Sequence, residues 1–203
     1  MFTSALLLPL AFAAVEAHQN FHQFWVNGVS PGFETCIRMP PSNNPVTDVS
    51  FNDITCNWDS STHPGPITHF LLGPIGDATQ ESGVGSWVKI DELNYVDGQW
   101  ANEIMEAAEM THEFKLPSNL ESGDYLLRSE METLHASMTA DGTQFYIGCA
   151  QLHITGPGGS CSPSIELPGA YTDQDANILI PNFYNGFDPT TFTAPGGPVA
   201  TCA

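Results

Sequence analysis

Positive charge is scarce in this chain. Its 203 residues include 4 Lys and Arg against 23 Asp and Glu, so the formal net charge is −19. Nucleic-acid binding needs clustered bases that neutralise phosphates, and anionic membranes attract basic segments. The sequence therefore predicts neither nucleic acid nor a membrane as partner. It also lacks an Asn-x-Ser/Thr sequon, so N-glycosylation is not expected.

Cysteine motifs for metal or redox chemistry are also missing. The chain has 5 cysteines but no Cys-x-x-Cys pair, so zinc-ribbon and thioredoxin-like sites lack their motif. In an oxidising compartment one or two disulfides are expected. The odd count leaves one thiol free or without its partner, and the residues alone leave the pairing of all five open.

A single apolar run stands at the start of the chain. Residues 1–17 resemble a secretory signal peptide, with small residues at Val15 and Ala17 before a cleavage point. No second run approaches the roughly 18 residues of a membrane span, so the mature chain is predicted to be secreted, extracellular and soluble. Cleavage after Ala17 makes His18 the new N-terminus. A cut after Ala13 or Ala14 would leave His18 an ordinary side chain.

Short strands between glycine- and proline-rich turns dominate the remaining pattern. The pattern predicts one short helix at residues 100–110. It predicts strands at residues 24–28, 53–56, 67–72, 86–90, 125–128 and 144–155. Gly and Pro together supply 34 residues, 18 and 16 respectively, and the tail from 183 to 203 is rich in turn residues. The fold class is therefore all-β: an immunoglobulin- or fibronectin-like antiparallel β-sandwich with long loops and at most short helices, one domain over residues 18–203.

Two histidines stand in settings that suit copper. A terminal His18 offers its α-amine and its ring nitrogen, and His63 lies in the rigid turn His63-Pro64-Gly65-Pro66. Three nitrogens with an open position fit the geometry of Cu(II). The alternative is two unrelated surface histidines.

A second group of candidates lies on a predicted strand. Gln144 and Tyr146 share one strand face, where they could fill an axial position and bond a bound oxygen species. His135 is a further candidate donor. The alternative is an ordinary strand with alternating burial.

Several motifs together resemble one known family. The chain is similar to the fungal lytic polysaccharide monooxygenases of auxiliary-activity family 9, formerly glycoside hydrolase family 61, over most of its mature length. The resemblance is carried by His18, FWVNG at 24–28, RMPPSNNPVTDV at 38–49, DITCN at 53–57, HPGP at 63–66, GDYLLRSE at 123–130, LH at 134–135, QFY at 144–146, CAQ at 149–151 and PGAY at 168–171.

The resemblance implies one copper ion in a histidine brace, formed by the amine and ring of His18 and the ring of His63. Tyr146 is then the axial group, and Gln144 and His135 are donors that position an oxygen species. Two further features are implied as well. Cys56 and Cys149 form the family's disulfide across the sheets, which leaves the pairing of Cys36, Cys161 and Cys202 open. Phe192 takes the place of an aromatic on the flat substrate face.

The implied reaction is oxidative cleavage of cellulose or a related β-1,4-glucan. The copper cycles between Cu(II) and Cu(I), O2 or H2O2 is the oxidant, and C1 or C4 of the glucan is hydroxylated. The electron donor is a small reductant or cellobiose dehydrogenase, and the enzyme is expected to be a monomer. The sequence does not distinguish C1 from C4.

One departure from the family pattern keeps two other functions open. A stretch of a few dozen residues that the family carries between Asn57 and His63 is missing here, and a lost strand would expose a sheet edge. A non-catalytic polysaccharide-binding protein of the same fold is therefore the alternative. A hydrolase is the other, although no Gly-x-Ser-x-Gly occurs and His112-Glu113 lacks the second histidine of His-Glu-x-x-His.

Overall fold

The computed structural model describes residues 18–19, 21–38, 44–55, 60–61 and 63–203, with backbone alone for 18–19 and 60–61. The predicted signal peptide, residues 1–17, lies outside this part of the chain. The described strands are β1 His18–Gln19, β2 Ile37–Arg38, β3 Ser60–Ser61, β4 Ile67–Ile75, β5 Gly85–Leu93, β6 Tyr95–Val96, β7 Gln99–Trp100, β8 Gly123–Thr133, β9 Gln144–Ile154, β10 Cys161–Ser162, β11 Ile165–Leu167 and β12 Thr201–Cys202.

Six strands form the central sheet, in the order β11-β5-β4-β8-β9-β2, and every neighbouring pair is antiparallel. The longest pairing joins β8 to β9 without a break, from Gly123 opposite Ile154 to Thr133 opposite Gln144. The remaining described strands pair two by two as β1-β3, β6-β7 and β10-β12. The predicted all-β antiparallel class is confirmed.

Side chains from both faces of the sheet are buried, as a two-layered fold requires. On one face Phe70, Leu72 and Leu126 pack with residues of the 44–55 and 167–178 segments. On the other face Leu71 and Leu127 pack with Leu120 and Phe114. Because successive side chains of β4 and β8 point to opposite faces of the sheet, these strands contribute to two separate cores, one on each face.

Arg128 fastens the 44–55 segment to the sheet. Its side chain is fully buried and donates to the carbonyl oxygen of Ile54 from Nε at 3.1 Å and from Nη2 at 2.8 Å. Nη2 also pairs with Glu130 Oε2 at 2.5 Å. A buried guanidinium is tolerated only when such partners replace its hydration, so this clamp sets where the segment crosses the sheet.

Three predicted elements differ in the structure. The strand expected at residues 24–28 is reduced to an isolated bridge between Val26 and Val29, with a turn between them. Residues 53–56 were expected as a strand, but Asn52–Ile54 is a 3₁₀ turn, in which Ile54 N–H donates to Phe51 O and Thr55 N–H to Asn52 O. Local hydrogen bonding at an Asn-Asp pair outweighs a weak β preference. The predicted helix is present as α1, Ala101–Ala107, and ends early because Glu109 and Met110 take positive φ values of 55° and 61°.

The C-terminal region is long and mostly irregular, as predicted. A 3₁₀ turn covers Pro189–Thr191, and a disulfide joins Cys161 to Cys202. Cys36 is free and exposed. None of the described helices is long and apolar enough to cross a membrane.

Candidate active site

The turn that carries His63 is pressed directly onto β8. Gly65 lies so close to the carbonyl of Glu132 that any Cβ there would overlap it. Leu134 N–H donates to Pro64 O at 2.9 Å, which extends the contact past the end of β8. Glycine is therefore required in this turn, because a side chain would lift His63 away from the sheet.

Asn102, in the first turn of α1, holds the same turn from the other side. Its side chain is fully buried, and Nδ2 donates to His63 O at 2.8 Å and to Glu132 O at 3.1 Å. One amide thus joins the helix, the turn and β8. The His63 backbone is consequently fixed by structure on two sides.

His63 and His135 lie face to face. Their ring centroids are 3.9 Å apart, with an angle of 32° between the planes. The pKa of His135 is lowered, mainly by burial and further by His63. His135 Nδ1 is buried and makes no hydrogen bond to the described residues. A neutral imidazole keeps one lone pair and one N–H, and these are what a metal or a reduced oxygen atom needs.

Gln144 and Tyr146 form a second pair at the same end of the sheet. Gln144, the first residue of β9, lies opposite Thr133, the last residue of β8. The hydroxyl of the fully buried Tyr146 donates to Gln144 Oε1 at 2.6 Å. Phe145 points to the other face, where it stacks on Tyr171. The predicted sharing of one strand face by Gln144 and Tyr146 is present.

We call His63, His135, Gln144 and Tyr146 the sheet-end cluster, and the N-terminal arm runs toward it. β1 pairs with β3 so that His18 lies opposite Ser61, two residues before His63. Further along, Phe21 packs against Gly148 and joins the apolar group that contains Tyr146. The backbone therefore brings His18 close to the turn that carries His63. The side chain of His18 lies outside the described residues.

Phe192, the predicted substrate-face aromatic, is 7% exposed. Its ring packs edge-on against Trp100 at 5.3 Å and Phe187 at 6.2 Å, so little of it faces solvent. Tyr184 is the exposed aromatic here, at 62%, and its hydroxyl donates to His135 O at 3.1 Å. The sequence analysis did not single out Tyr184, and its place in an irregular tail gave no periodicity to indicate it.

Cys149 is buried, and its Sγ lies 3.7 Å from Thr55 O. Thr55 is the residue before Cys56, the predicted partner of Cys149. Cys56 itself lies outside the described residues, so their disulfide stays a prediction. Of the three cysteines whose pairing the sequence left open, Cys161 and Cys202 are joined and Cys36 is free.

Comparison with known proteins decides the family. The model of Auxiliary Activity family 9 (formerly GH61) matches residues 57–192. An AA9 family lytic polysaccharide monooxygenase B from Botryotinia fuckeliana is 53% identical over 227 residues, which cover 100% of this chain and 70% of that protein. The chain belongs to Auxiliary Activity family 9. A second AA9 relative, AA9-X282 of Trametes coccinea, is 32% identical, with 97% and 83% of the two chains covered.

Solved structures of this family share the AA9 chain's fold. The structure of CvAA9A matches with a TM-score of 0.78 at 28% identity, covering 90% of this chain and 97% of that one. The crystal structure of HiLPMO9B matches with a TM-score of 0.70 at 26% identity, covering 81% and 86%. These neighbours confirm the predicted β-sandwich, and the similarity to lytic polysaccharide monooxygenases confirms the predicted resemblance.

The AA9 chain is shorter than its Botryotinia relative within the matched region. That match spans 227 residues against 203 here, so at least 24 positions of the relative have no counterpart in this chain. The family match begins at residue 57. The alignment length agrees with a shortened chain, and the place of the missing stretch between Asn57 and His63 stays a prediction.

Copper-dependent oxidation of polysaccharides is the function of the AA9 family, and the residues found here fit that metal. His135 Nδ1 is buried beside the ring of His63 and has no partner in the described part of the chain, and the backbone of His18 approaches the same turn. Imidazole nitrogens suit copper, and outer donors of the Gln144–Tyr146 kind orient metal ligands.

Proposed function

We propose that this protein is a secreted, monomeric enzyme that cleaves cellulose or a related β-1,4-glucan oxidatively. The proposal is supported by the N-terminal arm and the turn of His63, which lie together at one end of the sheet. The β1-β3 pairing brings His18 toward the turn of His63, and His135 lies 3.9 Å from the His63 ring. This arrangement supports a histidine brace despite the shorter chain.

In the proposed site the amine and ring of His18 and the ring of His63 hold one copper ion. When bound, copper supplies the one-electron redox chemistry by which O2 or H2O2, with an external reductant, hydroxylates C1 or C4 of the glucan. The reductant is a small molecule or cellobiose dehydrogenase.

The protein side chains then position protons and substrate. His135, whose lowered pKa keeps its ring neutral, holds a proton on one ring nitrogen and accepts on the other. The hydroxyl of Tyr146 is oriented by Gln144 Oε1, so it would stay in one rotamer beside a bound copper ion. Tyr184 offers an exposed ring next to His135, and such a ring stacks on the apolar face of a sugar.

The proposed function is tested with protein secreted from a eukaryotic host. Mass spectrometry first checks that the mature chain starts at His18. We expect one equivalent of Cu(II) to give an axial EPR spectrum with nitrogen hyperfine structure, and reductant to release oxidised cello-oligosaccharides. The position of the oxidised carbon, read from the mass spectra, distinguishes C1 from C4.

Two outcomes would contradict the proposal. Cellulose binding without oxidised products, and with loosely bound copper, would support the non-catalytic alternative. Release of unoxidised oligosaccharides in the presence of a chelator would support a hydrolase.

A further inference from the structure

A second histidine group lies on the face of the central sheet, away from the turn of His63. His69 of β4, Asp91 of β5 and His112 of the segment after α1 place one ligand atom each within 4.8 Å of one another. We call these three residues the sheet-face cluster. The register explains the first contact, because His69 lies directly opposite Asp91. His112 comes to them from a segment without regular secondary structure.

His69 brings to this cluster a ring with one buried nitrogen that lacks a partner among the described residues. The residue is 3% exposed, and its Nδ1 lies 2.8 Å from Ser129 Oγ. Its Nε2 is buried and has no hydrogen-bond partner among the described residues. A buried polar atom without a partner costs about 1–3 kcal/mol. A ligand that accepts the Nε2 lone pair would remove this cost.

The other two members connect the cluster to solvent. His112 Nε2 and Asp91 Oδ2 are 2.9 Å apart, and their side chains are 15% and 28% exposed. An ion can therefore enter from the Asp91–His112 side without unfolding the sheet. The partly exposed ring of Phe114 covers one face of the His69 ring, stacked on it at 3.8 Å.

Two imidazoles and one carboxylate are a ligand set that suits Zn²⁺, with water as the fourth ligand on the exposed side. Tetrahedral bonds of about 2.0–2.1 Å separate neighbouring ligand atoms by about 3.3 Å. The Asp91–His112 pair needs to open by a few tenths of an ångström. His69 and His112 are stacked at 11°, so His112 must turn for both lone pairs to reach one ion. His112 is free to make this turn because it is partly exposed and lies in an irregular segment.

We propose that His69, Asp91 and His112 form a second metal site, which binds Zn²⁺ and is separate from the histidine brace. Burial, and then the neighbouring His112, hold the pKa of His69 well below its usual range, so His69 needs to lose no proton before it binds. Ser129 Oγ lies 2.8 Å from Nδ1, so it can accept from an Nδ1–H and leave the Nε2 lone pair to the ion. The bound ion fastens the segment after α1 to β4 and β5.

The test uses the full mature protein with one equivalent of Cu(II) already bound, so that the histidine brace is filled. Zn²⁺ is titrated by calorimetry, and Co²⁺ is titrated as a probe whose visible spectrum reports a tetrahedral site. We expect one further equivalent of Zn²⁺ to bind and the melting temperature to rise. His112→Gln and Asp91→Asn should each weaken Zn²⁺ binding about 100-fold or more and leave the copper EPR spectrum unchanged.

His153→Gln is the matched control. His153 Nδ1 lies 2.6 Å from Asp124 Oδ1 in an exposed pair that is not part of the three-residue group. The His153→Gln variant should bind Zn²⁺ as tightly as the unmodified protein. The proposal is overturned if no second equivalent binds, or if His112→Gln binds Zn²⁺ unchanged. A His63→Ala variant that loses copper but still binds Zn²⁺ would separate the two sites, since failure of the histidine brace leaves the sheet-face cluster intact.

Discussion

Two pairs of facing histidines lie in the described part of this molecule, and their surroundings differ. In the sheet-end cluster, His63 and His135 are 3.9 Å apart, and a glutamine and a tyrosine are the further polar groups. In the sheet-face cluster, His69 and His112 are 5.1 Å apart, and a carboxylate from Asp91 completes the group. The first is supported by a turn and reached by the N-terminal arm, whereas the second is built on paired strands.

The difference shows how one residue type serves two kinds of chemistry. The donors of the sheet-end cluster are neutral, so they do not favour one oxidation state of a metal by adding negative charge, which suits a redox centre. A carboxylate at the sheet-face cluster adds fixed negative charge beside a buried imidazole, which favours a divalent ion that keeps its charge. Substitutions that affect one region and spare the other test this contrast.

The largest effect is expected for His63→Ala. Removing this ring takes away one ligand of the proposed histidine brace, so release of oxidised oligosaccharides should fall below detection and copper affinity should drop by more than 100-fold. The measurements are product analysis by mass spectrometry and copper titration. His112→Ala, in the other region, should retain activity. Equal losses in both variants would contradict the division into two sites.

Tyr146→Phe should have the next largest effect. The change removes the hydroxyl that Gln144 orients and leaves the buried ring in place. Turnover should fall about 10- to 100-fold, as is common for groups that orient a metal centre, while copper still binds. Tyr125→Phe is the matched control, because its hydroxyl donates to Glu121 O at 2.9 Å in a different core. Comparable rates for the two variants would count against an axial role.

Asn102→Ala tests the support of the sheet-end cluster without removing a ligand. The carbonyls of His63 and Glu132 would each lose a donor, so unfolding free energy should fall by about 1–3 kcal/mol. Copper should bind more weakly, whereas Zn²⁺ binding should be unaffected. Chemical denaturation and both titrations measure this. Asn177→Ala is the control: it removes an exposed amide that donates to Thr193 O. It should change neither the unfolding free energy nor the binding of copper and Zn²⁺. An Asn102→Ala protein with unchanged copper affinity would show that the turn is fixed without it.

The smallest effect concerns Glu132, on β8. Burial, and next the charge of Glu130, raise the pKa of this carboxyl well above its ordinary value of 4.5. The folded state therefore retains a proton that the unfolded state releases. Stability from this group is full below the unfolded pKa and is lost as the pH rises through the folded pKa. Neither Glu132 oxygen has a hydrogen-bond partner among the described residues.

Glu132→Gln should thus be as stable as the parent near pH 4.5 and more stable at pH 8. Urea midpoints across this range measure the difference, and exposed Glu166→Gln is the control that should give a flat line. A Glu132→Gln advantage that does not vary with pH would mean that Glu132 is ionised in both states.

The sequence predicts the sheet-end cluster better than the sheet-face cluster. His63, His135, Gln144 and Tyr146 lie in recognisable short motifs, and the alternation of β9 already puts Gln144 and Tyr146 on one face. His69, Asp91 and His112 lie in three different elements, so their meeting depends on strand register and on the path of an irregular segment. Neither is readable from periodicity.

The fold shows the same limit. Apolar and β-branched runs predict the long strands β4, β5, β8 and β9, at least over their central residues. The 3₁₀ turn at Asn52–Ile54 was wrongly predicted as a strand because its hydrogen bonds are local and short runs carry little pattern. The Cys161–Cys202 pairing was left open, because three cysteines allow several pairings and only the β10-β12 register selects one.

That disulfide has a consequence for survival among proteases. The chain between Cys161 and Cys202 is largely irregular and exposed, and it carries Tyr184. Such tails are the usual places for proteolytic nicking. Because the bond closes this stretch into a ring, a cut anywhere inside it leaves the two pieces covalently joined. A nicked molecule would run as one band without reductant and as two with it, and would keep Tyr184 attached to the chain that carries His135.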